Sequence, residues 1–577
     1  MNDPSAHAHD VALFQDSPSR SNVSRVRPAF ILMIACIAVI GTIVLVPSSA
    51  LIFESFSTRT AAGDVLSLDN YVKVLSQERT FDLLLATVGF SLAMTFVAGS
   101  LGFVFAWIAA RTNTPFRRFM PIAVLLPYLV PPTLGAVMWI LLLSPSNGII
   151  NTLLAPIVGG PLFNIYSFAG MVFVESLYTF PLSFMFFYAS LSTLDPTLEE
   201  AAAVSGAGTL RTFLHTTLPS MWPTIISVAT LLFIIGFESF DVAWFLGYPA
   251  KIYILSIEVF LLTRFNYPPD IGAAAVYGVI ALVLAMFLVV LYRQVTSRRG
   301  RFVSITGKGY HTGVLDIGRW RYATCGFFYG LIAVIGVLPV TLLIAISLNA
   351  VSWPFAVTPD VSLTNFLWIF NDPEARRALW NTATLAFFGA LLVVTVSFFV
   401  SYLSVRTEER GRGFLDYVAF LPFAFPSTVL AVGIISVLIQ TPLYNTIWIM
   451  LLAFFIKFLP YGLRNLSNNM LQIHHELEEA SYVSGAGLMR TLWKVILPLT
   501  IPGIVAAWSL LFIVFMRQFS LPIMLSSPGS QVLTILLFQE WDAGQMGHVA
   551  ALGTVLMLCC IPFVVIARYL ARGAQSI

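Results

Sequence analysis

Two short runs of this sequence carry residue types suited to recognition. Leu198-Glu-Glu-Ala-Ala-Ala-Val-Ser-Gly-Ala-Gly208 and Leu477-Glu-Glu-Ala-Ser-Tyr-Val-Ser-Gly-Ala-Gly487 each set two carboxylates beside small residues and end on glycines. The carboxylates suit a basic partner, the small residues let another backbone come close, and glycine accepts positive φ. The candidate docking residues are Glu199, Glu200, Ala201, Ala202 and Gly206, and then Glu478, Glu479, Ala480 and Gly485. Either run alone reads as a solvated helix; two in register favour docking. A second group is ionisable residues in apolar surroundings: Glu175, Glu238, Asp241, Lys457 and Arg517. Charges within a membrane mark functional sites by default, so Glu238, Asp241 and Arg517 are pathway candidates. Catalytic chemistry has no support. Thr306-Gly-Lys-Gly309 lacks the earlier glycine and the hydroxyl of a phosphate-binding loop. There is no H-E-x-x-H, catalytic triad or paired-cysteine motif. Cys36, Cys325, Cys559 and Cys560 lie in apolar runs without ligand spacing, and His7 with His9 is a weak metal signal, so no metal site is expected.

The elements that must hold the first group can be read locally. Asp195-Pro196 provides a side-chain cap and then proline at the first helical position. Thr197 with Glu200 offers an alternative capping box. A short helix over 198–204, a break at Gly206-Ala207-Gly208 and a second short helix over 209–215 follow. Leu218-Pro219 is expected to end that helix, and Pro223 to start the next long one. The result is a rigid knob. The second copy has His474-His475 in place of Asp195-Pro196, so its start is less well specified.

The long elements are membrane spans. The 577 residues are 58% hydrophobic and only 10% charged, against about 25% charged in soluble domains. Runs such as 29–53, 83–110, 122–143 and 274–292 exceed or approach the ~20 apolar residues that cross a bilayer as helix, and they are too uniformly apolar for barrel strands. Spans are expected near 29–53, 83–110, 120–143, 167–191, 223–245 and 271–293, then 323–348, 381–405, 417–440, 444–468, 502–524 and 545–570. Pro127, Pro131 and Pro132, echoed by Pro422 and Pro426, should bend the third span of each set. With both termini inside, 21 Lys and Arg fall in cytoplasmic segments and 7 in outside loops, which orients the chain.

The chain repeats itself. At an offset of 279 residues, 198–225 and 477–504 share 15 of 28 positions without a gap. Upstream, Arg111-Thr112 matches Arg406-Thr407, and Leu126-Pro127 matches Leu421-Pro422, at an offset of 295. The difference belongs in the loop near 144–166. The expected fold is therefore all-α, a polytopic protein of about 12 transmembrane helices in two parallel six-helix repeats. The expected units are a polar tail 1–28, a first half 29–293, a linker 294–322 and a second half 323–577. Glu238 and Arg517 share one position in the repeat. They either face a common axis or polar cavity, or lie separately near the outer surface. An ion-coupled secondary transporter with parallel repeats is the alternative reading, but the strongest similarity lies in two cytoplasmic loops, which such a protein has no obvious need to match.

Those loops carry a resemblance. Glu200-Ala-Ala-x3-Gly206 with Leu218-Pro219, and Glu479-Ala-Ser-x3-Gly485 with Leu497-Pro498, resemble the signature loop of binding-protein-dependent ABC importer permeases; Ser481 departs from the second alanine and Thr216 from the usual Ile. The fused layout, and Phe237-Glu-Ser-Phe-Asp-Val-Ala-Trp-Phe-Leu-Gly247, resemble the ferric-iron or thiamine type. The resemblance implies a transport subunit without its own ATPase. It further implies ATP bound by two separate ATP-binding cassette subunits docked on the loops, an extracytoplasmic solute-binding protein outside, and residence among the lipids of a bacterial inner membrane. Ferric iron is the solute it suggests. It implies no cofactor in this chain and no nucleic acid.

Overall fold

The structure is a computed structural model that describes residues 28–60, 63–194, 197–297, 314–352, 356–357 and 361–573. His7, His9, the Asp195-Pro196 helix start and Thr306–Gly309 lie outside the described residues. Among the described residues, ten helices are long and apolar enough to cross a bilayer, and two bent pairs raise the number to twelve. The first half holds α1 (Pro28–Phe56), α2 (Glu78–Arg111), the bent pair α3 (Arg117–Leu129) and α4 (Pro132–Leu143), and α5 (Phe168–Thr193). The knob helix α6 (Thr197–Val204) leads to α7 (Leu218–Phe237) and α8 (Ile271–Ser297). The second half repeats this order as α9 (Trp320–Ser347), α10 (Pro373–Arg406), the bent pair α11 (Arg412–Ala424) and α12 (Ser427–Leu438), and α13 (Ile447–Leu471). Its knob helix is α14 (Glu476–Val483), followed by α15 (Leu497–Met516) and α16 (Met546–Gly573).

The expected bends are full breaks, of 86° between α3 and α4 and 108° between α11 and α12. The residue before a proline is pushed out of the helical region. Val130 precedes Pro131 with ψ 123, and Phe425 precedes Pro426 with ψ 120. Pro132 also has no N–H to give the Tyr128 carbonyl. Each break therefore frees carbonyls inside an apolar protein, where they need new partners.

Two expectations are corrected. Leu218-Pro219 does not end the second knob helix. The short helix Thr209–Thr212 runs through a widened turn, in which the Leu218 N–H bonds the Phe213 carbonyl, directly into α7. Leu497 and Leu492 do the same before α15. The extra residue in the turn moves the backbone away from the proline ring one position on, so Pro219 and Pro498 sit in a first turn rather than in a helix interior. Next, the spans expected over 223–245 and 502–524 stop earlier, at Phe237 and Met516, with Glu238 and Arg517 as the capping residues. Small antiparallel hairpins, Ser57–Thr60 with Gly63–Leu66 and Val351–Ser352 with Ala356–Val357, follow the first span of each half and leave no trace in the hydropathy.

Within each half the second and fourth spans make the main contact, α2 on α5 and α10 on α13. Across the halves the first spans exchange: α1 packs on α11 and α12, and α9 packs on α4. Each broken span is thus covered by the opposite half.

Candidate functional site

The knobs are built the same way twice. Arg111 ends α2 with its guanidinium 1% exposed, 3.4 Å from the Glu199 carboxylate, and it donates to the Leu194 carbonyl at 3.0 Å. Arg406 ends α10, meets Glu478 at 2.6 Å and donates to the Ile473 carbonyl at 2.9 Å. Leu194 and Ile473 are counterparts at the 279-residue offset. So the arginine at the end of the second span ties the end of the fourth span to the first turn of the knob helix. Third partners differ: Thr217 donates to Glu199 at 2.7 Å, and the Tyr402 hydroxyl to Glu478 at 3.3 Å. Glu199 and Glu478 are therefore committed inside the chain, and the carboxylates expected to face a partner at these two positions turn inward. The reason is the buried arginine, whose charge needs a counter-ion more than a surface helix needs a carboxylate.

What the knobs present is different. Glu479 and Ala480 are exposed, Ala201 is exposed and Ala202 half-buried; Glu200 lies on α6. Gly206 and Gly485 take φ of +80° and +81°, the left-handed conformation that stops each helix. Just before each, Val204 and Val483 are 90% and 89% exposed. Sequence reasoning met both arginines only as a repeat match and gave no role to them or to these two valines, although all four repeat at the common offsets. The His474-His475 start of α14 makes no side-chain cap hydrogen bond.

The intramembrane charges gather where the halves meet. Glu238 does not pair with Arg517. Its partner is Lys457 of α13, at 2.5 Å, and Lys457 also donates to the Phe425 carbonyl at the break between α11 and α12 at 2.6 Å. Arg517 instead donates to the Tyr128 carbonyl at the break between α3 and α4 and lies 4.9 Å from the Tyr128 ring centre. Arg517 has turned to the broken span of the opposite half, where the break holds an unsatisfied carbonyl, and Glu238 holds the lysine that serves the other break. Asp241 accepts from Thr133 at 3.0 Å and from Ser520 at 2.9 Å. Ser520 is the counterpart of Asp241, and Phe240 meets its own counterpart Phe519 with ring centres 5.8 Å apart. A residue touches its own repeat mate only beside the axis that relates the halves. Behind this layer Ser239 donates to buried Glu175 at 2.7 Å. Lys457 is visible in the sequence as a charge in an apolar run; its partner is not. Among the described residues no group of three or more His, Cys, Asp and Glu is arranged to hold a metal ion.

The family described as binding-protein-dependent transport system inner membrane component matches residues 98–301 and 394–576, two copies in one chain. The ferric transport system permease protein FbpB of Actinobacillus pleuropneumoniae is 23% identical over 91% of this chain and 76% of its own length. The Fe(3+)-transport system permease protein FbpB 2 of Haemophilus influenzae is 23% identical over 87% of this chain and 93% of its own. Among solved structures, a bacterial ABC transporter involved in the import of the acidic polysaccharide alginate aligns over 47% of this chain and 95% of its own, at 18% identity and a TM-score of 0.38. The matched regions contain both knobs and the long helices of each half from the third span onward, together with the C-terminal part of the second span. With two family copies on one predominantly helical, multi-pass chain, this protein belongs to the binding-protein-dependent transport system inner membrane components, as a fused ABC importer permease resembling the ferric-iron permeases.

Proposed function

We propose that the chain forms the translocation pathway between its two halves, 29–293 and 323–577, and is driven by two ATP-binding subunits seated on its two knobs. The paired knobs carry this reading: matched helices, pinned by matched arginines, each present an exposed valine beside a glycine of positive φ. An exposed apolar tip on a rigid base suits insertion into a cleft. The excess of Lys and Arg on the knob side, 21 against 7, supports knobs and termini in the cytoplasm. ATP then binds in the partner subunits, a solute-binding protein delivers from outside, and Glu238, Asp241 and Arg517 lie along the route.

Ferric iron is the proposed solute. Its support is the ferric transport named for relatives that match over 91% and 87% of this chain. The experiment is coexpression with the neighbouring ATP-binding and solute-binding genes, purification through a tag on the permease, and uptake of radioactive ferric iron by proteoliposomes. ATP-dependent iron uptake is expected. A complex that forms but moves no iron removes the solute assignment and leaves the coupling intact; no complex removes the coupling.

A further inference from the structure

At the polar layer the two halves contribute opposite charges. The first supplies the carboxylates Glu175, Glu238 and Asp241, and the second supplies the cations Lys457 and Arg517. Two ties cross between them. In one, Glu238 of the first half holds Lys457, which also satisfies a carbonyl freed at the second half's break. In the other, Arg517 of the second half satisfies a carbonyl freed at the first half's break and covers its tyrosine ring. Lys457 is 3% exposed and Glu238 21%, so one end of the first tie is sealed and the other borders open space. The neighbouring residues close the axis through the Phe240–Phe519 contact and the Ser520–Asp241 hydrogen bond.

We propose that Glu238, Lys457, Arg517 and Tyr128 form a two-point latch between the halves, closed in this structure, which must part for the pathway to open. The proposal rests on the reading that the pathway runs between the halves under the control of ATPase subunits. Its physical basis is differential. Parting the halves separates the Glu238 carboxylate from the Lys457 ammonium and the Arg517 guanidinium from the Tyr128 carbonyl, and strands these groups unless water or a polar solute takes the place of the lost partner. The closed arrangement is therefore held by contacts that the open one lacks, and removing them shifts the balance toward opening. Lys457 is the central group, because it serves both the carboxylate and the carbonyl.

The test uses the full permease copurified with its ATPase subunits in nanodiscs, without binding protein. Basal ATP hydrolysis is compared for the native chain, Lys457→Gln, Glu238→Gln, and the reversed pair Glu238→Lys with Lys457→Glu. Each single variant should raise the basal rate by about tenfold, and the reversed pair should recover only part of that rise, because a glutamate at 457 restores the ion pair and cannot donate to the Phe425 carbonyl. A merely structural role predicts lower activity and no rescue. A second arm does not depend on these variants folding. Phe240→Cys with Phe519→Cys, matched positions whose rings meet with centres 5.8 Å apart, in a background whose four native cysteines are replaced by alanine, allows a disulfide across the axis. Oxidation should stop uptake and reductant should restore it. Unchanged basal rates in both single variants, or full uptake by the oxidised protein, overturn the latch. If the ATPase subunits fail to copurify with the native chain, the coupling reading falls instead, and the disulfide arm, read by uptake, still decides the latch.

Discussion

Replacing Gly206 and Gly485 isolates the backbone contribution to docking. Both glycines sit at φ near +80°, and a Cβ added at either meets no atom within 4 Å. A substitution there clashes with nothing in the chain, so its internal cost is conformational alone. An L-residue in the left-handed region costs about 1–2 kcal/mol, and asparagine less. Valine, branched at Cβ, costs more than alanine. If the left-handed turn shapes the docking tip, that cost appears as lost affinity for the ATPase subunit, with tenfold for about every 1.4 kcal/mol. Affinity at either knob should therefore fall slightly for Asn, by roughly tenfold for Ala and further for Val. The assay is a titration of purified ATPase subunit onto nanodisc-embedded permease, with the melting temperature of the permease as a control that should not move. The order of the series is the decisive result. If Asn binds as poorly as Val, bulk against the partner is the cause and the backbone argument fails. If Val binds like the native glycine, the tip is not the docking surface.

Cysteines introduced at Val204 and Val483, both almost fully exposed, should resist membrane-impermeant thiol reagents in intact cells and react in inverted vesicles; labelling from outside would reverse the topology. Arg406→Gln strands Glu478 in a buried pair and should cost up to about 3–5 kcal/mol, read as a lower melting temperature of the purified permease. Arg111→Gln should cost less, since its ion pair is 3.4 Å long and its Nε and Nη1 make no hydrogen bond; a larger loss at Arg111 would refute that ranking. Asp316, at the end of the linker, accepts from the nearby Gly318 N–H and from the Asn113 amide of the loop after α2, and these hold its carboxyl below the usual aspartate range. An acid with a depressed value contributes above its unfolded pKa and is lost as pH falls through the folded one. Proteolysis of the linker should therefore be the same at about pH 5 and pH 8 and speed up only in stronger acid, below the usual aspartate value of 3.8.

Features decided by a few neighbouring residues are legible in the sequence. The left-handed stops at Gly206 and Gly485 follow from a glycine after a short helix, and the broken spans follow from Pro131 and Pro426, since both effects act within a turn. The long apolar runs mark the spans, because lipid imposes length and apolarity on any helix that crosses it. The widened turns before α7 and α15 are not legible. A proline reads as a terminator from local propensity, and only the register of the preceding turn shows that the helix accommodates it. The inward direction of Glu199 and Glu478 is also hidden, because Arg111 and Arg406 lie 88 and 72 residues away along the chain.

The pairing of Glu238 with Arg517 fails for a reason that any duplicated membrane protein shares. Matched positions are related by the axis, and that relation brings them together only if both lie on it. Phe240 with Phe519, and Asp241 with Ser520, meet this condition and touch. Glu238 and Arg517 lie off the axis, so each must face some other residue of the opposite half. If Glu238 meets α13, strict symmetry would send Arg517 to α5, where the counterpart of Lys457 is Tyr178. Tyr178 brings no carboxylate, and Arg517 instead takes the Tyr128 carbonyl that Pro132 leaves without an N–H. Two halves that began alike have thus diverged into a charged tie on one side of the axis and a carbonyl tie on the other. Opposite charge at matched positions is therefore evidence that each site has acquired its own partner in the other half, a lysine on a continuous span for Glu238 and a carbonyl at a broken one for Arg517.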